Sequence, residues 1–112
     1  MNTKVHEKYN AAVVELSGKI EGGPFASEFK TTLLNLLKEN KKNIVVDMSH
    51  IKFINSNGIG ILVGGYTTVK NGGGNLKLVN SGDKVKGVLS ITKLNQVFTN
   101  YNSVEEALQS FQ

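Results

Sequence analysis

Hydrophobic and polar residues alternate near the start of the chain, which predicts a two-stranded antiparallel hairpin. We expect its strands at Lys4–Tyr9 and Ala12–Leu16, with a short turn between them. In the second strand Val14 shares a face with both strand ends, whereas Val13 lies on the opposite face. Ser17-Gly18 is expected to end this strand.

Helical spacing replaces this alternation after the glycine-rich loop Glu21-Gly22-Gly23-Pro24. Proline suits the first turn of a helix because its missing N–H would have no partner there. The residues expected to face the core recur at helical spacing: Ala26, Phe29, Leu33, Leu36 and Leu37. The helix is expected to end near Asn40-Lys41-Lys42, where positive charge meets the negative end of the helix dipole.

An apolar run without alternation, Ile44-Val45-Val46, predicts a central strand that is covered on both faces. The next helix is expected from Asn55 to Lys70. The glycines of Asn71-Gly72-Gly73-Gly74 end it because they accept positive φ. Its core face is predicted to carry Ile59, Leu62, Val63 and Tyr66.

Strands and helices alternate over the second half of the chain. We expect a strand at Leu76–Val79, a helix from about Asp83, a short strand at Gln96-Val97-Phe98, and a final helix after the capping box of Ser103 and Glu106. The final helix is expected to turn four residues toward the core: Val104, Ala107, Leu108 and Phe111. This order predicts an α/β fold with parallel strands, right-handed crossovers and the antiparallel hairpin at one edge.

Composition narrows the function classes. The 112 residues are expected to form a single domain, residues 1–112, and the absence of cysteine excludes disulfides, thiol catalysis and zinc–thiolate sites. The net charge is +4, and all 13 basic residues are lysines. Arginine, which usually recognises phosphates and guanine edges, is absent. We therefore expect the lysines to form a solvated surface, and we expect no nucleic-acid partner. No apolar run reaches the roughly 20 residues of a membrane span, and no signal peptide is evident, so we expect a cytoplasmic protein without membrane insertion.

Enzymatic chemistry has little support in the sequence. His6 and His50 are the only histidines, and neither has the spacing of a metal ligand. Asp47 and Ser49 lie beside His50, but catalytic triads are assembled from distant segments rather than from adjacent strand residues. Asp47 either orients the loop before the next helix or is a solvated strand-end carboxylate. We therefore expect no catalytic residue, no metal and no cofactor.

The segment Asn57-Gly58-Ile59-Gly60 has the strand–turn–helix order of a phosphate-binding loop, but it lacks that motif's lysine. Asn55 and the two polar residues after it suit a helix N-cap, and capping alone would explain them. The helix then carries a face without charge, formed by Asn57, Ile61, Gly64 and Thr68, with Gly60 and Gly65 flanking it. Glycine inside a helix costs about 1 kcal/mol relative to alanine, so this face is expected to be a contact surface; the alternative is a helix packed on both sides.

The chain resembles STAS domains, specifically the bacterial anti-sigma factor antagonists. The resemblance is carried by Val14–Glu21, Ile44–Ser49, Phe53–Leu62 and the apolar pattern from Val85 to Leu108. It implies a STAS fold with a four- to five-stranded mixed sheet and about four helices. It also implies a role in partner switching, in which the protein binds a serine kinase that doubles as an anti-sigma factor and so frees the sigma factor.

The same resemblance identifies a phosphorylation switch that this chain has altered. The family signature is aspartate, serine, serine or threonine, then glycine, and the kinase modifies its second hydroxyl residue. Asn55 replaces the aspartate, Ser56 matches the first serine, and Asn57 occupies the acceptor position without a hydroxyl. Ser56 is the alternative acceptor. Glu21 stands where many members carry aspartate.

The uncharged face and the resemblance together predict the partner-binding residues: Glu21, Gly22, Gly23, Pro24, Asn55, Ser56, Asn57, Gly58, Gly60, Ile61, Gly64 and Thr68. Two other functions stay open. One is a STAS accessory subunit of a membrane transporter or another signalling complex, and the less favoured one is a small nucleotide-binding protein or enzyme. The oligomeric state does not follow from the sequence.

Overall fold

A computed structural model describes residues 2–8, 11–82, 85–87 and 100–111 of the chain. The five strands of its sheet are β1 Asn2–Lys8, β2 Ala11–Ile20, β3 Asn43–Ile54, β4 Asn75–Val79 and β5 Asn100–Tyr101. Three helices have both ends within the described residues: α1 Pro24–Lys38, α2 Ser56–Asn71 and α3 Val104–Gln109.

The strands follow the order β1-β2-β3-β4-β5, with β1 and β2 antiparallel and every later pair parallel. This confirms the mixed α/β sheet with an N-terminal hairpin. The expected end of β2 at Ser17-Gly18 is wrong. Gly18 takes a φ of 99°, and the pairing of β2 with β3 shifts register there and continues to Ile20. This glycine therefore forms a bulge within β2 and does not end the strand.

Helices cover both faces of the sheet. The larger core lies under α1 and α2 and includes Val14 of β2 and Val46 of β3. On the other face Val13 and Val45 pack with Ala107 of α3. The opposite orientations of Val13 and Val14, and the burial of β3 on both faces, are therefore confirmed.

Two details of the predicted helix faces need correction. At the start of α1, Phe25 is buried in place of Ala26, which is exposed. The ring of Phe25 stacks on that of Phe29, with ring centroids 5.4 Å apart. In α2 Val63 and Tyr66 pack against the core but are only half-buried, whereas Gly65 and Val69, which were not expected there, are buried. The rest of each predicted face is confirmed, and the contact between the helices decides which flanking positions are covered.

The C-terminal elements agree with prediction where they are described. Ser103 Oγ accepts a hydrogen bond from Glu106 N at 3.1 Å, and the Glu106 carboxylate accepts one from Asn102 N at 3.4 Å. Of the helix expected from Asp83, residues 85–87 are helical and the others at its start and end lie outside the described residues. The strand expected at residues 96–98 also lies outside them.

None of the helices in the described ranges is long and apolar enough to cross a membrane.

Candidate functional site

Strands β2 and β3 end side by side, and this brings two distant parts of the sequence together. Ile20 pairs with Ile54, and the N–H of Asn55 donates to the carbonyl oxygen of Ile20 at 3.2 Å. The loop after β2 and the first turn of α2 are therefore neighbours.

Asn55 caps α2 as predicted. Its backbone is extended, and its side-chain Oδ1 accepts a hydrogen bond from Gly58 N at 2.9 Å, which satisfies one of the free N–H groups of the first turn. Ser56 and Asn57 follow the cap and are both exposed. Both side chains thus lie on the surface, at the positive end of the helix dipole.

The loop from Glu21 to Pro24 contacts this helix start. A Cβ built on Gly22 would lie 3.5 Å from Cβ of Asn57, which is ordinary van der Waals contact. Gly22 and Gly23 have φ values of 118° and 72°, a region that favours glycine. Glu21, Gly23 and Pro24 are exposed, so the loop and Asn57 form one continuous surface.

Gly58 has a different place in the site. It is buried, and a Cβ at this position would lie 2.1 Å from the carbonyl oxygen of Ile20, a distance that no side chain allows. Gly58 therefore permits α2 to start directly against the end of β2, and it supports the surface from beneath.

An open groove of about 320 Å³ runs between α1 and α2 beside this surface. We call it the α1–α2 groove, and its lining residues are Ala26, Phe29, Lys30, Asn57, Gly60, Ile61, Gly64, Gly65 and Thr68. Every member of the predicted uncharged helix face lies along it. The structure thus brings that whole face into one concave region, and the loop lies beside it next to Asn57.

The glycines of α2 divide into two kinds. A Cβ on Gly65 would lie 2.6 Å from Cε2 of Phe29, so Gly65 is required by the packing of α1 on α2. A Cβ on Gly60 or Gly64 would meet nothing within 4 Å. Alanine would fit at both positions and would favour the helix by about 1 kcal/mol at each. No contact within the described residues explains why these two positions are glycine.

The contribution of α1 to the groove was missed by the sequence analysis. Ala26 and Lys30 form its second wall, although Ala26 was assigned to the core. Their spacing of four residues on one helix face could have indicated a shared wall. The exposure of Phe53 was also not predicted: this large side chain, in the strand that leads to the cap, is 44% exposed.

The residues considered for catalysis do not converge. Asp47 Oδ1 accepts hydrogen bonds from Ser49 N at 3.0 Å and from Asn80 Nδ2 at 3.3 Å, so this carboxylate ties β3 to the residue after β4. His50 is exposed, and His6 lies on β1, 3.5 Å from a carboxylate oxygen of Glu15. Within the described parts of the chain, no cluster of three potential metal ligands occurs.

The mixed sheet, the helix-start surface and the adjoining loop are those of a STAS domain. The chain belongs to the STAS domain family, whose model matches residues 2–107. A protein from Thermotoga neapolitana that is named as an anti-sigma factor antagonist is 32% identical over 76 residues, which is 68% of this chain and 67% of that protein. Anti-sigma factor antagonists are regulatory binding proteins.

Solved structures show the same fold. The crystal structure of a protein named as an anti-sigma factor antagonist from Thermotoga maritima superimposes with a TM-score of 0.84 at 22% identity, over 96% of this chain and 92% of that one. A sulfate transporter family protein from Wolinella succinogenes gives a TM-score of 0.79 at 19% identity, over 92% and 85% of the two chains. The fold confirms the class of domain, and it is shared by proteins with more than one role.

Proposed function

We propose that this chain is a single-domain, cytoplasmic anti-sigma factor antagonist that binds a kinase-type anti-sigma factor in a partner-switching pathway. The proposal is supported by membership of the STAS family and by the relative from Thermotoga neapolitana that bears the name of such an antagonist. Its contact surface comprises the loop from Glu21 to Pro24, the start of α2 and the uncharged face of that helix.

One observation carries the proposal. Gly60 and Gly64 line an open groove and have no neighbour among the described residues that a Cβ would touch, whereas Gly58 and Gly65 are fixed by internal packing. Two glycines that weaken a helix without serving its own fold are expected where another molecule approaches the helix backbone. Asn57, which lies next to Gly22 of the loop, lines the same groove.

The family resemblance implies regulation by phosphorylation, and the regulation of this chain differs from that. Asn57 occupies the acceptor position and is exposed, but its amide cannot take a phosphoryl group. We therefore propose that binding to the anti-sigma factor is not released by phosphorylation at residue 57. Ser56 is the hydroxyl residue beside it in sequence, and it projects about 100° away around the helix.

The protein acts through binding and not through turnover. Along β3, Asp47 accepts a hydrogen bond from the backbone of Ser49, while His50 is exposed, so the three side chains do not converge on one point. The described lining residues of the α1–α2 groove include no histidine and no carboxylate. The groove can receive a surface, and its one titratable group among the described lining residues is Lys30, which has no second titratable group beside it there to form an acid–base pair.

Affinity capture from the native cell, identification of the captured protein and titration calorimetry with the purified pair would test the function. The expected result is a stoichiometric complex with a protein that contains an ATP-binding kinase domain and that also binds a sigma factor. Binding to a transporter subunit instead would support the second candidate, an accessory STAS subunit, which rests on the fold shared with the sulfate transporter family protein.

A further inference from the structure

The α1–α2 groove does not end where the predicted surface ends. A second depression of about 490 Å³ follows it along the same two helices, and Thr68 lines both. We call this second depression the lower groove, and its lining residues are Leu34, Leu37, Lys38, Thr68, Asn71 and Gly72. On α1 their lining residues run from Ala26 to Lys38, and we call the two depressions together the channel.

Charge is distributed unevenly along this channel. Lys30 lines the first part and Lys38 the second, and the remaining lining residues are uncharged. Both lysines are exposed, and neither forms an ion pair with the described part of the chain. They lie eight residues apart on α1, which corresponds to about 12 Å along the helix axis. One wall of the channel therefore presents two positive charges about two helical turns apart.

Apolar surface lies between the two lysines. Leu34 occupies the position halfway between them on the same helix face and is 41% exposed. On the α2 side the wall is formed by Gly64, Thr68 and Ile61, none of which carries charge. A ligand that fills the channel must therefore be apolar along its centre and negatively charged along one side.

The walls also restrict the backbone conformation of the occupant. Both are α-helices, whose N–H and C=O groups bond within the helix away from its ends, so the channel offers no ladder of backbone partners to an extended strand. A helix brings its backbone hydrogen bonds with it and packs by interdigitating side chains with those of two neighbouring helices.

We propose that the whole channel receives an amphipathic helix of the partner protein, with two acidic residues seven or eight positions apart that face Lys30 and Lys38. This inference rests on the proposed function for the existence of a protein partner, and it adds the secondary structure and the charge of the segment that binds. The acidic side chains give orientation and on-rate, while the apolar stripe fills the space around Leu34.

A designed peptide tests the channel without the natural partner. The probe is an alanine-based helical peptide of about 18 residues, long enough to form a helix, with a leucine stripe and two glutamates eight positions apart. Amide NMR shifts of the labelled protein are expected at Gly60, Gly64 and Gly72. A matched peptide with lysines in place of the glutamates is expected to bind roughly tenfold more weakly, because two attractions become repulsions.

Two double variants separate the lysines of the channel from net charge. Lys30→Glu with Lys38→Glu should reverse the preference, so that the lysine peptide binds more tightly. Lys4→Glu with Lys86→Glu lowers the net charge equally at two exposed positions outside the channel and should leave the preference unchanged. The proposal is overturned if neither peptide shifts those glycine amides, or if both double variants respond alike.

The partner complex supplies an independent outcome. If an anti-sigma factor binds the wild-type protein and the Lys30/Lys38 double variant equally, the channel proposal is wrong and the proposed function stands. If no anti-sigma factor binds the wild-type protein while the acidic peptide binds selectively, the proposed function is wrong and the channel proposal stands.

Discussion

A Cβ built on Gly65 of α2 would lie 2.6 Å from Cε2 of Phe29 on α1, closer than two carbon atoms can approach. This contact fixes how near the two helices come, and it forms the floor of the α1–α2 groove. The adjacent residue, Gly64, faces open space in the same groove. Two neighbouring glycines thus serve different purposes, one internal and one external.

Alanine substitution should separate these purposes. Gly64→Ala is expected to raise the free energy of unfolding by up to about 1 kcal/mol, because the helix gains propensity and nothing is displaced. Gly65→Ala should lower it by about 1 to 2 kcal/mol, since overpacking against Phe29 outweighs that gain. Urea unfolding with an unchanged m-value measures both. Equal effects of the two substitutions would contradict this assignment.

Charge on the groove wall should weaken partner binding. Ile61→Asp introduces a carboxylate where the partner must exclude water, and it is expected to weaken binding by about 2 kcal/mol or more. Ile61 is half-buried, so thermal unfolding must accompany the titration. Thr67→Asp, at an exposed position of the same helix outside the groove, is the matched control and should bind normally. Unchanged binding by a folded Ile61→Asp protein would place the interface elsewhere.

The altered acceptor position predicts a simple phosphorylation outcome. Incubation with the partner kinase and ATP should leave the mass of the wild-type protein unchanged, because Asn57 has no hydroxyl. Asn57→Ser should gain one phosphate, and its complex with the kinase should then weaken through repulsion and desolvation of a charge of about −2. Ser56→Ala in the Asn57→Ser background tests which hydroxyl is modified. A phosphate on wild-type Ser56 would show that the switch has moved rather than been lost.

The helix cap offers a stability test at the same site. Asn55→Ala removes the acceptor for Gly58 N and should lower the free energy of unfolding by about 1 kcal/mol. Asn55→Asp keeps an acceptor and adds a negative charge at the positive end of the dipole, so it should raise stability by about 0.3 to 1 kcal/mol at neutral pH. The gain from aspartate should disappear as the pH falls and the carboxylate is protonated.

A carboxyl pair between the C-cap of α1 and strand β1 should respond to pH. A hydrogen bond with Glu7, together with the charge of Glu7, raises the pKa of Glu39 above the ordinary value of a glutamate side chain. The folded chain therefore holds this proton more tightly than the unfolded chain. The resulting stabilisation is present below the unfolded pKa and is lost as the pH rises through the folded pKa of Glu39. Carboxyl NMR titration should show the pKa of Glu39 falling in Glu7→Ala, and a constant pKa would refute the pairing.

Local patterns of the sequence were sufficient for much of the fold. Alternation placed Val13 and Val14 on opposite faces of the sheet, as found. The polar cluster that follows the central strand located the cap at Asn55, since capping depends on residues within one turn. The lack of a hydroxyl at Asn57 is likewise a property of the sequence itself. These features depend on neighbours in the chain, so a single sequence is enough to predict them.

Only the tertiary structure decided what each glycine and each helix face does. Gly58, Gly60, Gly64 and Gly65 are the same residue in one helix, yet two are buried against other elements and two are exposed in an open groove. Their roles depend on Ile20 and Phe29, which are distant in sequence, and on how closely α1 approaches α2. The packing of α1 on α2 also leaves Ala26 exposed and makes α1 the second wall of the site. Periodicity defines a helix face, but only packing determines what covers that face.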